Sequence, residues 1–92
     1  TSKELSLRYS SAIALINLKN PKVIPIVNEI FDLNTHKIFT PEQIAGLKLN
    51  ALNEIQKVRW VEFKNKVDYL SKNEQNLMVK AKALEFLNQL NN

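Results

Sequence analysis

The fold class of this chain is decided by residues 40–70, TPEQIAGLKLNALNEIQKVRWVEFKNKVDYL. Thr40 and Gln43 form a capping box around Pro41, and proline is favoured at the first position of a helix. Apolar residues then recur every three or four positions, which is the spacing of one face of an α-helix. They are Ile44, Leu47, Ala51, Ile55 and Val58. The pattern predicts a long helix that begins at residue 41.

The apolar face of this helix changes direction near its middle. After Val58 the stripe moves to Trp60, Phe63, Val67 and Leu70, about a third of a turn around the helix axis. Supercoiling moves a stripe by only about 20° per heptad, which is too little to explain the shift. We therefore expect the helix at 41–70 to be bent or broken near residues 58–61.

Caps and prolines place the other helices. Thr1-Ser2-Lys3-Glu4 and Ser71-Lys72-Asn73-Glu74 each resemble a capping box, which predicts helices at 2–18 and 72–90. Pro21 and Pro25 predict an irregular turn at 19–24 and a helix at 25–33. A single glycine and three prolines are too few for the many turns of a β-sandwich. We expect an all-α fold, a small four-helix bundle in which residues 1–92 form a single domain.

Two features of the long predicted helix, a glycine and a sequence pattern at its start, need separate interpretation. Gly46 costs about 1 kcal/mol relative to alanine inside a helix, and we interpret it as the site of a close helix crossing. The order Thr40, Gln43, Ile44, Ala45 resembles the opening of a helix-turn-helix unit, but the tight turn that should follow is absent. A continuous helix is the better prediction.

The first and last predicted helices are apolar on two sides. In the first helix the predicted core stripe is Leu5, Tyr9, Ala12 and Ile16, and in the last it is Leu77, Ala81 and Leu84. A four-helix core absorbs one broad stripe per helix, so the second stripes predict a surface that binds a protein partner or a second copy. That predicted partner-binding surface comprises Leu7, Ala14, Leu18, Val79, Phe86 and Leu90. The alternative is that the first helix is central and buried all round.

The sequence contains few of the residue types on which catalytic sites depend. There is no cysteine, one histidine (His36) and one glycine, which argues against thiol catalysis, histidine-based triads, multi-histidine metal sites and glycine-rich phosphate loops. Glu29 and Asp32 lie on one helix face, where a solvated surface explains them better than acid–base catalysis. We expect neither an enzyme nor a cofactor or metal site.

The net charge of +4 and the pI near 9.5 suggest an alternative function, binding of nucleic acid or an anionic surface. The candidate anion-binding residues surround two aromatic residues, as a surface that binds single-stranded nucleic acid requires. They are Lys57, Arg59, Lys64 and Lys66. However, Trp60 and Phe63 share a stripe with Val67 and Leu70, so we expect these aromatics in the core and the charges on a solvated face.

Overall size and composition suggest a third alternative. The length, charge, lack of cysteine and four predicted helices are similar to those of the small cytosolic immunity proteins that protect bacteria from their own bacteriocins, and to those of many phage regulators. Neither group has a residue motif that can be placed here, so the resemblance implies no site residues. The apolar runs are too short for a transmembrane segment, and we expect a cytoplasmic, non-catalytic helical module for protein interaction or regulation.

Overall fold

The computed structural model describes residues 2–91, and over that range it contains five α-helices and no strand. The helices are α1 (Ser2–Ile16), α2 (Ile24–Phe31), α3 (Pro41–Val58), α4 (Lys64–Asn73) and α5 (Leu77–Asn91). Short 3-10 turns at Pro21–Val23 and Val61–Phe63 lead into α2 and α4. The all-α class is confirmed, but the predicted count of four helices is wrong because the segment 41–70 is divided between α3 and α4. The predicted cap at Thr1 lies outside the described residues.

The division between α3 and α4 falls where the apolar stripe changes direction. Arg59 ends α3 in the left-handed conformation, with φ 50°, and its N–H donates to the carbonyl of Gln56. Trp60 is extended, and α4 then starts on a new axis at Lys64. Trp60 and Phe63 are both buried and pack edge to face with ring centroids 5.0 Å apart. The predicted break near 58–61 is therefore confirmed, as is the placement of these aromatics in the core.

The start of α3 also follows the prediction. Thr40 Oγ1 accepts a hydrogen bond from the Gln43 N–H at 3.1 Å, and Gln43 Oε1 accepts one from the Thr40 N–H at 2.9 Å. Just before this cap, Phe39 is buried in one cluster with Ile44, as expected for a hydrophobic staple. The close helix crossing predicted at Gly46 is wrong, because a Cβ atom there would meet nothing within 4 Å.

The predicted start of the last helix at residue 72 is wrong. Ser71 is buried inside α4, where its hydroxyl donates to the Asp68 carbonyl instead of capping a new helix. The cap of α5 is Asn76, whose Oδ1 accepts from the N–H groups of Met78 and Val79. Helix α4 continues to Asn73. Glu74, the last residue of the predicted capping box, follows in an extended conformation and forms an ion pair with Lys48.

The core face of α5 is opposite to the one predicted. Val79, Ala83 and Phe86 are fully buried and Leu90 packs against them. The predicted core stripe is exposed and consists of Leu77, Ala81 and Leu84. Two physical reasons favour this orientation. It buries the large area of Phe86, and it leaves Asn88, which continues the Leu77 stripe, in solvent rather than without hydrogen-bond partners in the core.

Helix α3 lies between the other elements, since α1, α2 and α5 all pack against it and α4 packs against α5. The main core joins α2, α3, α4 and α5 to one end of α1, while a smaller cluster lies under α1, the end of α2 and the start of α3. The smaller cluster contains Tyr9, Ile30, Leu33, Phe39 and Ile44. Helices α1 and α2 each end two residues earlier than predicted. The alternative of a first helix buried all round is wrong, because one face of α1 is exposed.

Candidate interaction surfaces

A groove of about 610 Å³ lies on the surface of the bundle, lined by described residues. Its walls come from three places: the end of α2 with the following loop, the first half of α3, and the end of α4 with the linker to α5. Most of its polar side chains are uncharged, and they are Asn34, Thr35, Tyr69, Asn73, Gln75 and Asn76. The volume is within the range of small-ligand sites. The groove opens to solvent beside a smaller hollow of about 250 Å³ that His36 lines.

A buried ion pair lies in the wall of this groove. Lys48 Nζ is 2.6 Å from Glu74 Oε1, and the two side chains are 3% and 8% exposed. Glu74 Oε2 also accepts from the Asn76 N–H, so one carboxylate joins α3 to the linker between α4 and α5. Sequence reasoning missed this pair, although one signal was present: Lys48 has the same face as Ile44, Ala51 and Ile55 and therefore points inward.

The other charged side chain that lines the groove, Asp32, also has a partner of opposite charge. Lys66 forms a short ion pair with Asp32 at the groove edge and lies 5.4 Å from the centre of the Tyr69 ring. Residues from the starts of α3 and α5 and from the ends of α2 and α4 line the groove together. Such a groove offers neutral hydrogen-bonding surface rather than a nucleophile paired with a base.

The two carboxylates that the sequence places on one helix face make separate contacts. Glu29 accepts a 2.6 Å hydrogen bond from the Tyr9 hydroxyl and lies 3.7 Å from the Arg8 guanidinium, whereas Asp32 binds Lys66. Burial, and after it the hydrogen bond to the Glu29 carboxylate, raises the pKa of Tyr9 to about 12. The contacts of Glu29 fix α1 against α2. His36 is exposed, and its Nδ1 accepts from the Ile38 N–H.

The four candidate anion-binding residues lie on both sides of the break between α3 and α4. Lys57 pairs with Glu54 at 3.1 Å, and Lys66 pairs with Asp32. Arg59 Nη2 donates to the Gln89 carbonyl at 3.2 Å, near the end of α5. Lys64 is exposed, without an ion pair to any residue that the structure describes. Three of these four cations therefore already contact acceptors within the molecule, and the neighbouring aromatics are buried.

The structure divides the predicted partner-binding surface. On α1 and the turn that follows it, Leu7 is 67% exposed, Leu18 is 71% exposed and Ala14 is also exposed. Val79 and Phe86 are fully buried, and Leu90 is half-buried against the main core. The second half of the prediction is wrong because those residues form the core face of α5. A continuous patch from the two second stripes is therefore not available on the surface.

The apolar surface of α5 lies on the opposite side of that helix. Leu77 is 78% exposed, Met78 is 70% exposed and Leu84 is 46% exposed, with exposed Ala81 between them. Leu77, Ala81 and Leu84 follow at spacings of four and three, so they share one face of α5. We call the surface formed by Leu77, Met78, Ala81, Leu84 and Asn88 the α5 outer face.

Charged residues of opposite sign flank the α5 outer face. Lys80 lies on one side, partly exposed, and makes no ion pair with any residue of the range 2–91. Glu85 lies on the other side with its side chain 57% exposed, and it pairs with Lys82 at 3.3 Å. Hydrogen bonds from Gln56 and then from Lys82 lower the pKa of the Glu85 carboxyl, so this carboxylate is charged at neutral pH.

The described residues contain no cluster of three histidine, cysteine, aspartate or glutamate side chains that could hold a metal ion. No helix within residues 2–91 has the length and apolarity needed to cross a membrane. Comparison with known proteins finds no family model, no curated protein and no solved structure that matches this chain.

Proposed function

We propose that this chain is a non-catalytic helical module that binds another protein through the α5 outer face. The observation that carries the proposal is the exposure of Leu77, Met78 and Leu84 on a helix whose other face is fully buried. Single exposed leucines are common on protein surfaces, but contiguous apolar residues along one helix are typical of interaction sites. An amphipathic partner helix is the expected form of such a contact.

The α5 outer face is favoured over the exposed stripe of α1 by its composition. Both stripes place leucines at helical spacing, yet only that of α5 has a free lysine on one flank and a glutamate on the other. Opposite charges beside an apolar seam set the orientation and choice of a partner helix.

The alternative function, nucleic-acid binding, has less support. Three of the four candidate cations are engaged within the molecule, and Trp60 and Phe63 are buried away from any base. Salt dependence separates the two functions, because phosphate contacts weaken steeply as salt rises whereas apolar burial does not.

The proposal is tested by cross-linking in the cells that make the protein. A photoreactive phenylalanine analogue in place of Ala81 should yield a discrete protein adduct on irradiation, and the same analogue in place of exposed Asn65 on α4 is the control. Adding Leu77→Lys should abolish the Ala81 adduct while leaving the circular dichroism spectrum unchanged. Equal labelling from both positions, or an adduct that persists with Leu77→Lys, would overturn the proposal.

A further inference from the structure

We propose that the occupant of the α5 outer face is a second copy of this chain, and that the two α5 helices pack side by side in parallel as a short two-stranded coiled coil. This inference rests on the proposed function, since it names the partner of the same surface. Three features of α5 carry it: the heptad spacing of its exposed residues, the charges beside them, and the asparagine at an internal position of the seam.

The exposed residues of α5 fit a heptad in which the letters a and d mark the seam. Leu77 and Leu84 take the first two d positions and Asn91, the last residue of α5, takes the third, while Ala81 and Asn88 take the a positions. Leucine at d is characteristic of parallel two-stranded coiled coils. The buried residues Val79, Ala83 and Phe86 take positions f and c, on the side away from the seam. One α5 can therefore pack on its own bundle and on a second α5 at the same time.

The flanking charges distinguish parallel from antiparallel packing. Lys80 is at position g and Glu85 is at position e of the next heptad. In a parallel pair, g of one helix faces the following e of the other, so each Lys80 lies beside Glu85 of the second copy. In an antiparallel pair g faces g and e faces e, which places Lys80 beside Leu87 and Glu85 beside Met78. Only the parallel pair gives Lys80 an acidic partner.

Asn88 supports the same arrangement. Asparagine at an a position costs stability but fixes the register and the number of strands, because its amide needs a polar partner across the seam. In a parallel pair the two Asn88 side chains face each other and can exchange hydrogen bonds. An antiparallel pair would set each Asn88 against Leu77. In the single chain Asn88 is exposed, so its amide is free to meet such a partner.

The length of α5 limits the strength of the association. Its 15 residues provide only two heptads, and the seam buries less area than the roughly 1,200 Å² of a standard stable interface. We therefore expect a weak dimer whose population depends on concentration, with a Kd between about 10 μM and about 1 mM.

Sedimentation equilibrium of the full chain tests the dimer. The wild type should shift from monomer toward dimer as its concentration rises from about 10 μM to about 1 mM, and Leu84→Lys should raise the Kd at least about tenfold. The matched control is Leu18→Lys, which makes the same change at an exposed leucine outside α5 and should leave the Kd unchanged. Circular dichroism establishes that both variants are folded.

The orientation is tested by a disulfide. The chain has no cysteine, so Asn88→Cys introduces a single thiol into each copy. Diamide, a two-electron oxidant that is itself reduced to the hydrazine, joins two thiolates in a disulfide. In a parallel pair it should give a covalent dimer from Asn88→Cys alone. An antiparallel pair would instead cross-link a mixture of Leu77→Cys and Asn88→Cys chains and leave Asn88→Cys alone uncoupled.

Charge reversal provides an independent check of the register. Lys80→Glu and Glu85→Lys should each weaken the homodimer, because each places like charges beside one another. Mixing the two variants should restore association, since both contacts between unlike chains again join opposite charges. No restoration on mixing would overturn the parallel register.

The results also separate this inference from the function on which it rests. Suppose that the wild type stays monomeric at about 1 mM, the upper end of the expected Kd range, while the cross-linker at Ala81 still captures a different protein. That result would overturn the proposal that the partner is a second copy of the chain. It would retain the proposal that α5 binds another protein. A monomer that also yields no adduct from Ala81 would overturn both. If Leu18→Lys weakened dimerisation as much as Leu84→Lys does, the interface would not lie on α5. That outcome would overturn the inference.

Discussion

Gly46 lies inside α3 at a position where a side chain would have room. An added Cβ would meet no atom within 4 Å, and the glycine φ is not positive. Glycine in a helix interior costs more backbone entropy on folding than alanine does. The substitution Gly46→Ala should therefore raise the free energy of unfolding by about 0.5–1 kcal/mol, measured by urea denaturation. The reverse change at exposed Ala14 of α1, Ala14→Gly, should lower it by a similar amount. A destabilised Gly46→Ala chain would show a close contact that the structure lacks.

Tyr9 should make the stability of the fold depend on pH under alkaline conditions. Its pKa is about 12 in the folded chain, against 10.0 for an unperturbed tyrosine. As pH rises past 10 the unfolded chain loses this proton first, so the free energy of unfolding falls until the folded pKa is passed. The expected slope in that window approaches but does not exceed about 1.4 kcal/mol per pH unit, the value for one full proton. Tyr9→Phe should remove this contribution, leaving the slope due to the other groups.

The same assignment can be measured directly. In a Tyr69→Phe chain Tyr9 is the only tyrosine, so its phenolate absorbance reports one group. We expect a midpoint near pH 12 in the folded chain. A midpoint at the ordinary tyrosine value would contradict the burial and the bond to Glu29.

At the scale of elements, the ion pair between Lys48 and Glu74 connects α3 to the linker before α5. Removing one partner leaves the other charge buried without compensation, so Glu74→Ala should lower the free energy of unfolding by about 3–5 kcal/mol. The more exposed pair of Lys72 and Asp68 is the control, and Asp68→Ala should cost less than about 1 kcal/mol. Thermal and urea unfolding measure both effects.

A double substitution separates the missing charge from lost packing. Lys48→Met combined with Glu74→Ala removes the uncompensated ammonium while keeping an apolar side chain of similar length in place of the lysine. The double variant should therefore be more stable than Glu74→Ala alone. If the two single losses simply add, the cost comes from the linker rather than from the buried charge.

At the scale of the whole molecule, the two apolar faces of α5 should differ sharply in their effect on stability. Phe86→Ala removes a fully buried ring and should lower the free energy of unfolding by about 3–5 kcal/mol. Leu84→Ala, at a side chain 46% exposed, should cost less than about 1 kcal/mol in the monomer. Both are measured by denaturation at low protein concentration. If Leu84→Ala lowered the free energy of unfolding more than Phe86→Ala, the core stripe first predicted from periodicity would be the buried face of α5.

Local signals in the sequence were sufficient for much of the fold. The single glycine and the helical spacing predicted the all-α class, the cap at Thr40 predicted the start of α3, and the rotated stripe predicted the break after Val58. Each of these depends on residues within a few positions of one another, because caps and stripes act within one or two helical turns. The wrong helix start at Ser71 was predicted from the same kind of local signal. Glu74 pairs instead with Lys48, which lies 26 residues earlier in the chain.

Which face of each helix is buried was decided by the tertiary structure. The sequence by itself determined that α1 and α5 carry two apolar faces, and on α1 it also identified the buried one. On α5 both faces have helical spacing, so periodicity alone could not separate Phe86 from Leu84. The choice depends on α3 and α4, against which α5 packs, and on the lower cost of leaving Asn88 in water. Which residues are buried depends on how the helices pack together, so the exposed α5 outer face could be identified only from the tertiary structure.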